Sequence, residues 1–385
     1  MSSKVAVVGA AGIIGPAIVA TLAELEAVDE IVCLDRDQAG ARAVAERLGG
    51  PGASAGGLDI RDPDASARAL EGARVVINSA AYRVNLEAMR AALAAGADYV
   101  DLGGLFHVTR KQLELDGEFR EAGRLAVLGM GSTPGKTNVM ATRAVELLGE
   151  RPHEIVVAAA GRDPDPPAGP LVAPYALETI LDELTMPTPV VRGGQVQFVD
   201  PLTDAGVVEF GDPVGPAATI YTIHSEQATF ADSFGAAEVS FRLSLNPAFL
   251  DRIRFLAELG LASEEPVAVN GAQAAPRDML LAVLRRLPRT SPSRRAMGLH
   301  RIEARGQAGT AVVECVTRSV DRLDFGGGVL STACPPAVVA DMICRGELGQ
   351  LRGVLPSERA VPFGPLFERL EHYGVSVREQ FDSSR

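Results

Sequence analysis

The sequence predicts an α/β protein. A doubly wound parallel sheet with a dinucleotide site comes first, followed by an α+β domain on a mixed sheet and by C-terminal helices that return to the first domain. Three observations carry this reading. A β-branched run from Lys4 to Val8 stops at Gly9, and Gly12 and Gly15 follow at three-residue spacing before an amphipathic segment at 16–27. A second apolar run, 30–35, ends in Asp35, 20 residues after Gly15. Strand-like and helix-like segments then alternate before the pattern changes near Pro152. The expected divisions are 1–133, 134–328 and 329–385.

The opening turn has a physical logic. Gly9 permits the tight turn, Gly12 lets backbone N–H groups approach a pyrophosphate, and Gly15 lets helix and strand pack closely. Ile13 and Ile14 complete the turn, and the helix N-terminus offers free N–H groups and a positive dipole end. Asp35 stands where the motif places a carboxylate for a ribose 2′-hydroxyl, although it also reads as a cap for the next helix. An acid there repels a 2′-phosphate, so NAD is favoured over NADP, with the adjacent Arg36 tempering the preference.

The remaining elements follow in order. A helix is expected at 38–48, then a glycine-rich loop at 49–52 and a short strand reaching Leu58-Asp59-Ile60. Asp59 and Ile60 sit where adenine commonly lies, or Asp59 caps the helix opening at Asp62-Pro63. Strands at 74–78, 98–100 and 125–128 alternate with helices at 85–95 and 109–121, and another helix begins at Gly135. This spacing specifies a parallel sheet covered on both faces. Beyond a strand at 155–160 come a proline-rich loop at 163–167 and a helix at 175–184. Short strands at 190–191, 196–199, 207–210, 220–223 and 237–245 are followed by helices at 247–259 and 277–287. A hairpin joins 299–305 to 310–317, and helices at 336–345 and 366–373 close the chain.

Composition narrows the function. The 385 residues support two cores, and 47% apolar with 22% charged residues is globular. A net charge of −12 without basic clusters interleaved with aromatics argues against nucleic acid or an anionic membrane. The arginines at 285, 286, 289, 294 and 295 flank two prolines and read as a solvated loop or subunit contact. The four cysteines lack metal-type spacing, consistent with reduced thiols in the cytosol. The N-terminal apolar stretch contains the spaced glycines and Pro16, so it reads as a buried strand and helix rather than a signal peptide. No other segment is expected to span a bilayer.

Ligands of open parallel sheets bind beyond the carboxyl ends of the strands. The small residues Ser79, Ala80 and Ala81 let a nicotinamide ribose approach, and Tyr82 and Arg83 follow them. The next two strand ends offer Asp101 and His107, then Lys136 and Asn138. Each alone reads more simply as a cap or turn residue; their common position beside the cofactor groups them.

The stretches Val76–Arg83, Tyr99–Gly104 and Gly129–Asn138 resemble the saccharopine dehydrogenase-like family, within it the lysine 6-dehydrogenase branch. The likeness continues through Thr222–Glu226 and Gly353–Pro356. It implies NAD(P)-dependent oxidation of an amine to an imine or the reverse, amino-acid or polyamine-precursor substrates, and a homodimer. Two departures stand out. Saccharopine reductases that this chain resembles carry an acid where Thr133 stands, and the lysine dehydrogenases usually carry an apolar residue where Lys136 stands.

Hydride removal from a carbon bearing nitrogen requires a neutral amine, so a base is needed, while the nicotinamide makes a metal unnecessary. The candidates are His107, His224 and Lys136, with Tyr82 beside them. Arg83 is the expected carboxylate clamp, and Glu226, Asp101 and Asn138 complete the substrate set. His224 reads equally as an ordinary structural histidine, and Glu226 either binds a substrate amine or is solvated. A short-chain dehydrogenase is excluded, because Tyr82 and Tyr99 are followed four residues on by Leu86 and Gly103 instead of lysine. An imine-reducing synthase and a non-catalytic NAD-binding redox sensor are the alternatives.

Overall fold

The computed structural model describes residues 3–169, 171, 175–286 and 293–383. The first domain alternates strictly. Its strands are β1 (Lys4–Val8), β2 (Glu30–Asp35), β3 (Ala53–Gly57), β4 (Val75–Asn78), β5 (Asp98–Asp101) and β6 (Leu125–Leu128). Between them run α1 (Gly15–Leu22), α2 (Gln38–Leu48), α3 (Pro63–Ala69), α4 (Asn85–Ala94), α5 (Leu105–Leu113) and α6 (Asp116–Glu121), and α7 (Lys136–Leu148) leads out. Their apolar strands are buried on both faces, as a sheet covered by helices requires.

The second domain opens with β7 (Glu154–Arg162), α8 (Leu177–Thr185), β8 (Thr188–Arg192) and β9 (Gln195–Val199). It continues with β10 (Asp204–Glu209), β11 (Pro216–Tyr221), α9 (Glu226–Phe234) and β12 (Glu238–Leu243). An outer lobe holds α10 (Pro247–Glu258), β13 (Val267–Val269), β14 (Ala272–Ala274) and α11 (Pro276–Leu284). The hairpin β15 (Met297–Arg305) and β16 (Gly309–Thr317) follows. The chain closes with α12 (Gly327–Cys344), β17 (Gly353–Pro356), α13 (Ser357–Ala360), α14 (Phe363–Glu371) and β18 (Val375–Ser383).

Seven parallel strands form the first sheet in the order β17-β6-β5-β4-β1-β2-β3. The order reverses at β1, so the crevice between the ends of β1 and β4 is the topological switch point. The second sheet runs β10-β11-β12-β7-β15-β16-β18, with β8 and β9 branching from β12. Among the described residues only the β12–β7 pair of this sheet is parallel, which makes the sheet mixed.

Four expectations need correction. β3 lies upstream of Leu58 because its pairing with β2 ends at Asp35 and Gly57, so residues 58–60 fall beyond the sheet. The helix expected at 109–121 is two helices that meet at Glu114-Leu115. The tail is divided between both sheets: β17 extends the first beside β6, and β18 edges the second beside β16. Finally, α12 contains Pro335 and Pro336 in its interior, although Pro336 reads as a helix start. By length and composition this helix would cross a membrane, yet 78% of its apolar window is buried within the fold.

On the second sheet, Glu303 accepts from Arg301 at 2.7 Å and also meets Arg305. Burial pushes the Glu303 carboxyl up, but Arg301 and then Arg305 outweigh it and hold the group below its ordinary value of 4.5. A depressed carboxyl contributes stability above its unfolded pKa and loses it as pH falls through the folded value. Urea midpoints should therefore lose this contribution below about pH 4.5, and Glu303→Gln should remove that part of the acid dependence. An unchanged acid limb in the variant would refute the assignment.

A candidate active site at the strand ends

The glycine turn is built as its spacing requires. Gly9 has φ +83°, and an added Cβ would lie 2.5 Å from the Ala80 amide nitrogen. A Cβ on Gly15 would lie 2.4 Å from the Gly9 carbonyl, so this glycine sets how closely α1 sits on the turn. Gly12 is exposed, and the only neighbour of a Cβ there is the Gly9 carbonyl at 3.2 Å. Ile13 beside it is also exposed. No side chain caps α1; Pro16 has no N–H and the Ala17 N–H is taken by the Ile14 carbonyl, so the amides left for phosphate oxygens are those of Ile13, Ile14 and Gly15. The turn fits a dinucleotide diphosphate.

Asp35 supports this turn from β2. Its Oδ2 accepts the Ala11 amide at 3.0 Å and its Oδ1 accepts the Asp37 amide at 2.9 Å. The cap of α2 is Asp37, which accepts from Gly40, so the cap alternative for Asp35 is not what the structure shows. Arg36 is exposed next to it. Likewise Asp62, not Asp59, caps α3, while Asp59 pairs with Arg61 at 2.6 Å and its carboxyl is held down at about 2 by that guanidinium. Ile60 departs from expectation: its side chain is buried in the first domain's core. Ser79 donates its hydroxyl to the Val8 carbonyl at 2.9 Å, tying the end of β4 to the turn, and Ala80 and Ala81 follow at the crevice.

A cleft of about 530 Å³ opens where the ends of β4 and β5 face the second domain. Tyr82, Arg83 and His107 line one side, and Asp182, Glu264 and Arg277 line the other. Asp182 joins the two. It accepts the Tyr82 hydroxyl at 2.7 Å and Arg83 at 3.0 Å, and it pairs with Arg277 at 2.6 Å. Arg83 also reaches Glu264 at 3.1 Å. Burial, then the bond to Asp182, pushes the Tyr82 phenol well up, so it is held as a donor and is no base at neutral pH. Burial, then Arg110 and Lys111, pushes His107 down, which keeps the imidazole neutral and able to take a proton.

Five expected site residues do not reach this cleft: Asp101, Asn138, Lys136, His224 and Glu226. Asp101 is fully buried and accepts from the amides of Gly129 and Gly103 at 2.7 and 2.9 Å and from Gln112 at 2.6 Å. It holds strand ends together instead of touching ligand. Asn138 is buried between the Gly135 amide and Glu358. The Lys136 ammonium turns into the interior, donating to Ser331 at 2.7 Å and Thr317 at 3.1 Å with Cys315 at 3.6 Å. Its helix begins at the strand end, but its long stem follows the apolar interior of α7, β15 and β16.

His224 and Glu226 form a second, buried group with Glu183. The His224 Nε2 lies 3.6 Å from Glu183, and its Nδ1 lies 3.6 Å from Glu226. Burial alone lowers the His224 pKa, but Glu183 and then Glu226 reverse the sign and hold it above 6.5. Sequence reasoning missed Asp182, Glu183, Glu264 and Arg277. They belong to helices and a loop whose place opposite β4 follows only from the tertiary fold.

Two family models cover nearly the whole chain: the saccharopine dehydrogenase NADP binding domain matches residues 5–127, and the saccharopine dehydrogenase C-terminal domain matches 131–375. The chain belongs to the saccharopine dehydrogenase family. Its oxidoreductase class and nucleotide-binding fold follow from that membership. The chain is 27% identical over 293 residues to the carboxyaminopropylagmatine dehydrogenase of Synechocystis sp., covering 73% of this chain and 72% of that one. Its fold matches the apo saccharopine dehydrogenase (L-Glu forming) of Saccharomyces cerevisiae with a TM-score of 0.74 at 18% identity, over 99% of this chain and 100% of that one.

Proposed function

We propose that this family member is an NAD-dependent oxidoreductase acting on the CH–NH group of an amino acid or diamine. The observation that carries the reading is the mixed charge of the cleft at the strand ends. Arg83 and Arg277 can engage a carboxylate, and Asp182 and Glu264 can engage an ammonium. A nicotinamide nucleotide on the glycine turn would supply the hydride acceptor. Asp35 supports NAD, since its carboxylate meets the turn where a 2′-phosphate would be repelled. His107 lines the cleft wall, and its lowered pKa keeps the imidazole from adding positive charge beside the amine.

The test is NADH fluorescence during a screen of diamines and ω-amino acids, lysine first, with NAD and NADP in parallel. Reduction of NAD by at least one of these amines is expected. Silence across the panel with cofactor binding intact would overturn the reading in favour of a redox sensor. A second reading, an imine-reducing synthase joining an amine to a carbonyl compound, is favoured by the name of the Synechocystis relative, which denotes agmatine bearing a carboxyaminopropyl group. Consumption of NADH only when amine and carbonyl compound are supplied together would select it.

Arg83 gives a sharper prediction. Its side chain is 42% exposed, so one lost charge-assisted bond is worth about 1.4 kcal/mol, or tenfold. Arg83→Ala should raise KM roughly tenfold for carboxylate-bearing amines and leave diamines little changed. Equal losses for both substrate types would refute the clamp.

A further inference from the structure

Behind the cleft wall, five groups form one continuous line. The Tyr175 hydroxyl donates to Glu183, whose other oxygen faces His224 Nε2 at 3.6 Å. On the far side of the imidazole, Nδ1 faces Glu226 Oε2 at 3.6 Å, and Glu226 Oε1 accepts the Thr133 hydroxyl at 2.6 Å. The three inner groups are buried, whereas Tyr175 and Thr133 at the two ends are half-buried. Thr133 belongs to the loop after β6, at the strand-end face of the nucleotide domain. Two of the three inner groups follow, by one residue, a residue of the cleft or of its apolar wall: Asp182 precedes Glu183, and Ile223, packed with Leu105, Tyr82 and Met186, precedes His224.

Two of the buried atoms, His224 Nδ1 and Glu226 Oε2, have no hydrogen-bond partner. A purely structural cluster would satisfy them, because an unpaired buried polar atom is costly. They face each other at 3.6 Å, so a small approach of ring and carboxylate would close a hydrogen bond along which a proton can pass. Phe241 stacks on the imidazole at 3.7 Å and fixes the plane in which both nitrogens point at carboxylates.

We propose that Thr133, Glu226, His224 and Glu183 form a proton relay serving the amine oxidation. It rests on the function proposed above and adds to it a route between the strand-end face and the far side of the second domain. The substrate ammonium gives one proton to the Thr133 oxygen as the Thr133 hydroxyl proton moves to Glu226. Glu226 passes a proton to Nδ1, Nε2 gives one to Glu183, and Glu183 releases it by exchange through the hydroxyl of half-buried Tyr175. No electron pair leaves the relay; the hydride goes to the nicotinamide. The charged and titratable groups around the imidazole are Glu183 and Asp182 from α8, Tyr175 before it, Glu226 from α9, His300 on β15 and Lys136 of α7. Removing the Glu183 charge leaves the imidazole easier to deprotonate, so its titration moves to lower pH.

The experiment uses the full chain with 15N-labelled histidine. His224→Gln assigns one of the five imidazoles, and the His224 titration is followed by NMR in wild type, Glu183→Gln and Glu226→Gln. Both acid variants should titrate at lower pH, and Glu183→Gln should move the acid limb of kcat/KM the same way. Thr133→Val should lower kcat by about 10²-fold, with Thr133→Ser recovering most of it. An imidazole titration unmoved by either acid variant overturns the relay. So does wild-type turnover with an unshifted limb, and this leaves the amine reading standing. Wild-type protein that binds NADH but turns over no amine overturns that reading, and the relay with it.

Discussion

Asp101→Ala is expected to cost roughly 3–6 kcal/mol of folding stability, read as a fall in the urea midpoint. Asp101 is wholly buried and receives two backbone amides, the Gln112 amide and, at 3.2 Å, the Asn85 amide. Hydrogen bonds to a charged group contribute about 1.5–3 kcal/mol each, and an abandoned buried donor adds a further penalty. Those donors come from the segments that follow three neighbouring strands, Asn85 of α4 after β4, Gly103 and, in α5, Gln112 after β5, and Gly129 after β6, so their loss loosens the face that carries the cleft. Against a typical total of about 5–15 kcal/mol, the variant should be marginal at best. Asp101→Asn keeps one acceptor oxygen and should recover part of the loss. A variant as stable as wild type, with altered KM, would return Asp101 to the substrate set.

Gly12→Val should weaken NADH binding by about 10²-fold or more while leaving the urea midpoint close to wild type. The separation arises because Gly12 is exposed and a Cβ there meets a single carbonyl at 3.2 Å, whereas Gly9 and Gly15 are closed in by backbone atoms at 2.5 and 2.4 Å. A branched side chain at the mouth of α1 keeps the diphosphate from its N–H groups. Losing one or two charge-assisted bonds, each about 1.5–3 kcal/mol, gives that factor. Gly9→Ala and Gly15→Ala should instead lower stability and binding together. The chain contains no tryptophan, so the fluorescence of NADH itself is a clean readout.

The parts of this protein legible from its residues were those fixed locally. Gly9, Gly12, Gly15 and Asp35 act within one strand–turn–helix unit and the strand beside it, so spacing alone places them. Strand existence in the first domain was legible for the same reason, since fully apolar runs between turns have few other uses. The failures arise where tertiary contacts decide. β17 and β18 are short or polar and become strands by adding to sheet edges. Pro335 and Pro336 lie within a helix whose packing against α1 and both sheets overrides their breaking tendency. Lys136 and Asp101 were correctly placed at strand ends, yet chain position does not show which way a side chain turns. The acids and arginine opposite β4 come from α8, α11 and the loop before β13, about 100 residues or more further along the chain.

The most direct measurement is the electron density of the protein crystallised with NADH. The diphosphate should lie at the α1 N-terminus beside Gly12 and Ile13, the adenosine ribose should meet Asp35, and the nicotinamide should point toward Tyr82 and Arg83. A diphosphate bound elsewhere, or a nicotinamide directed away from the cleft, would contradict the account.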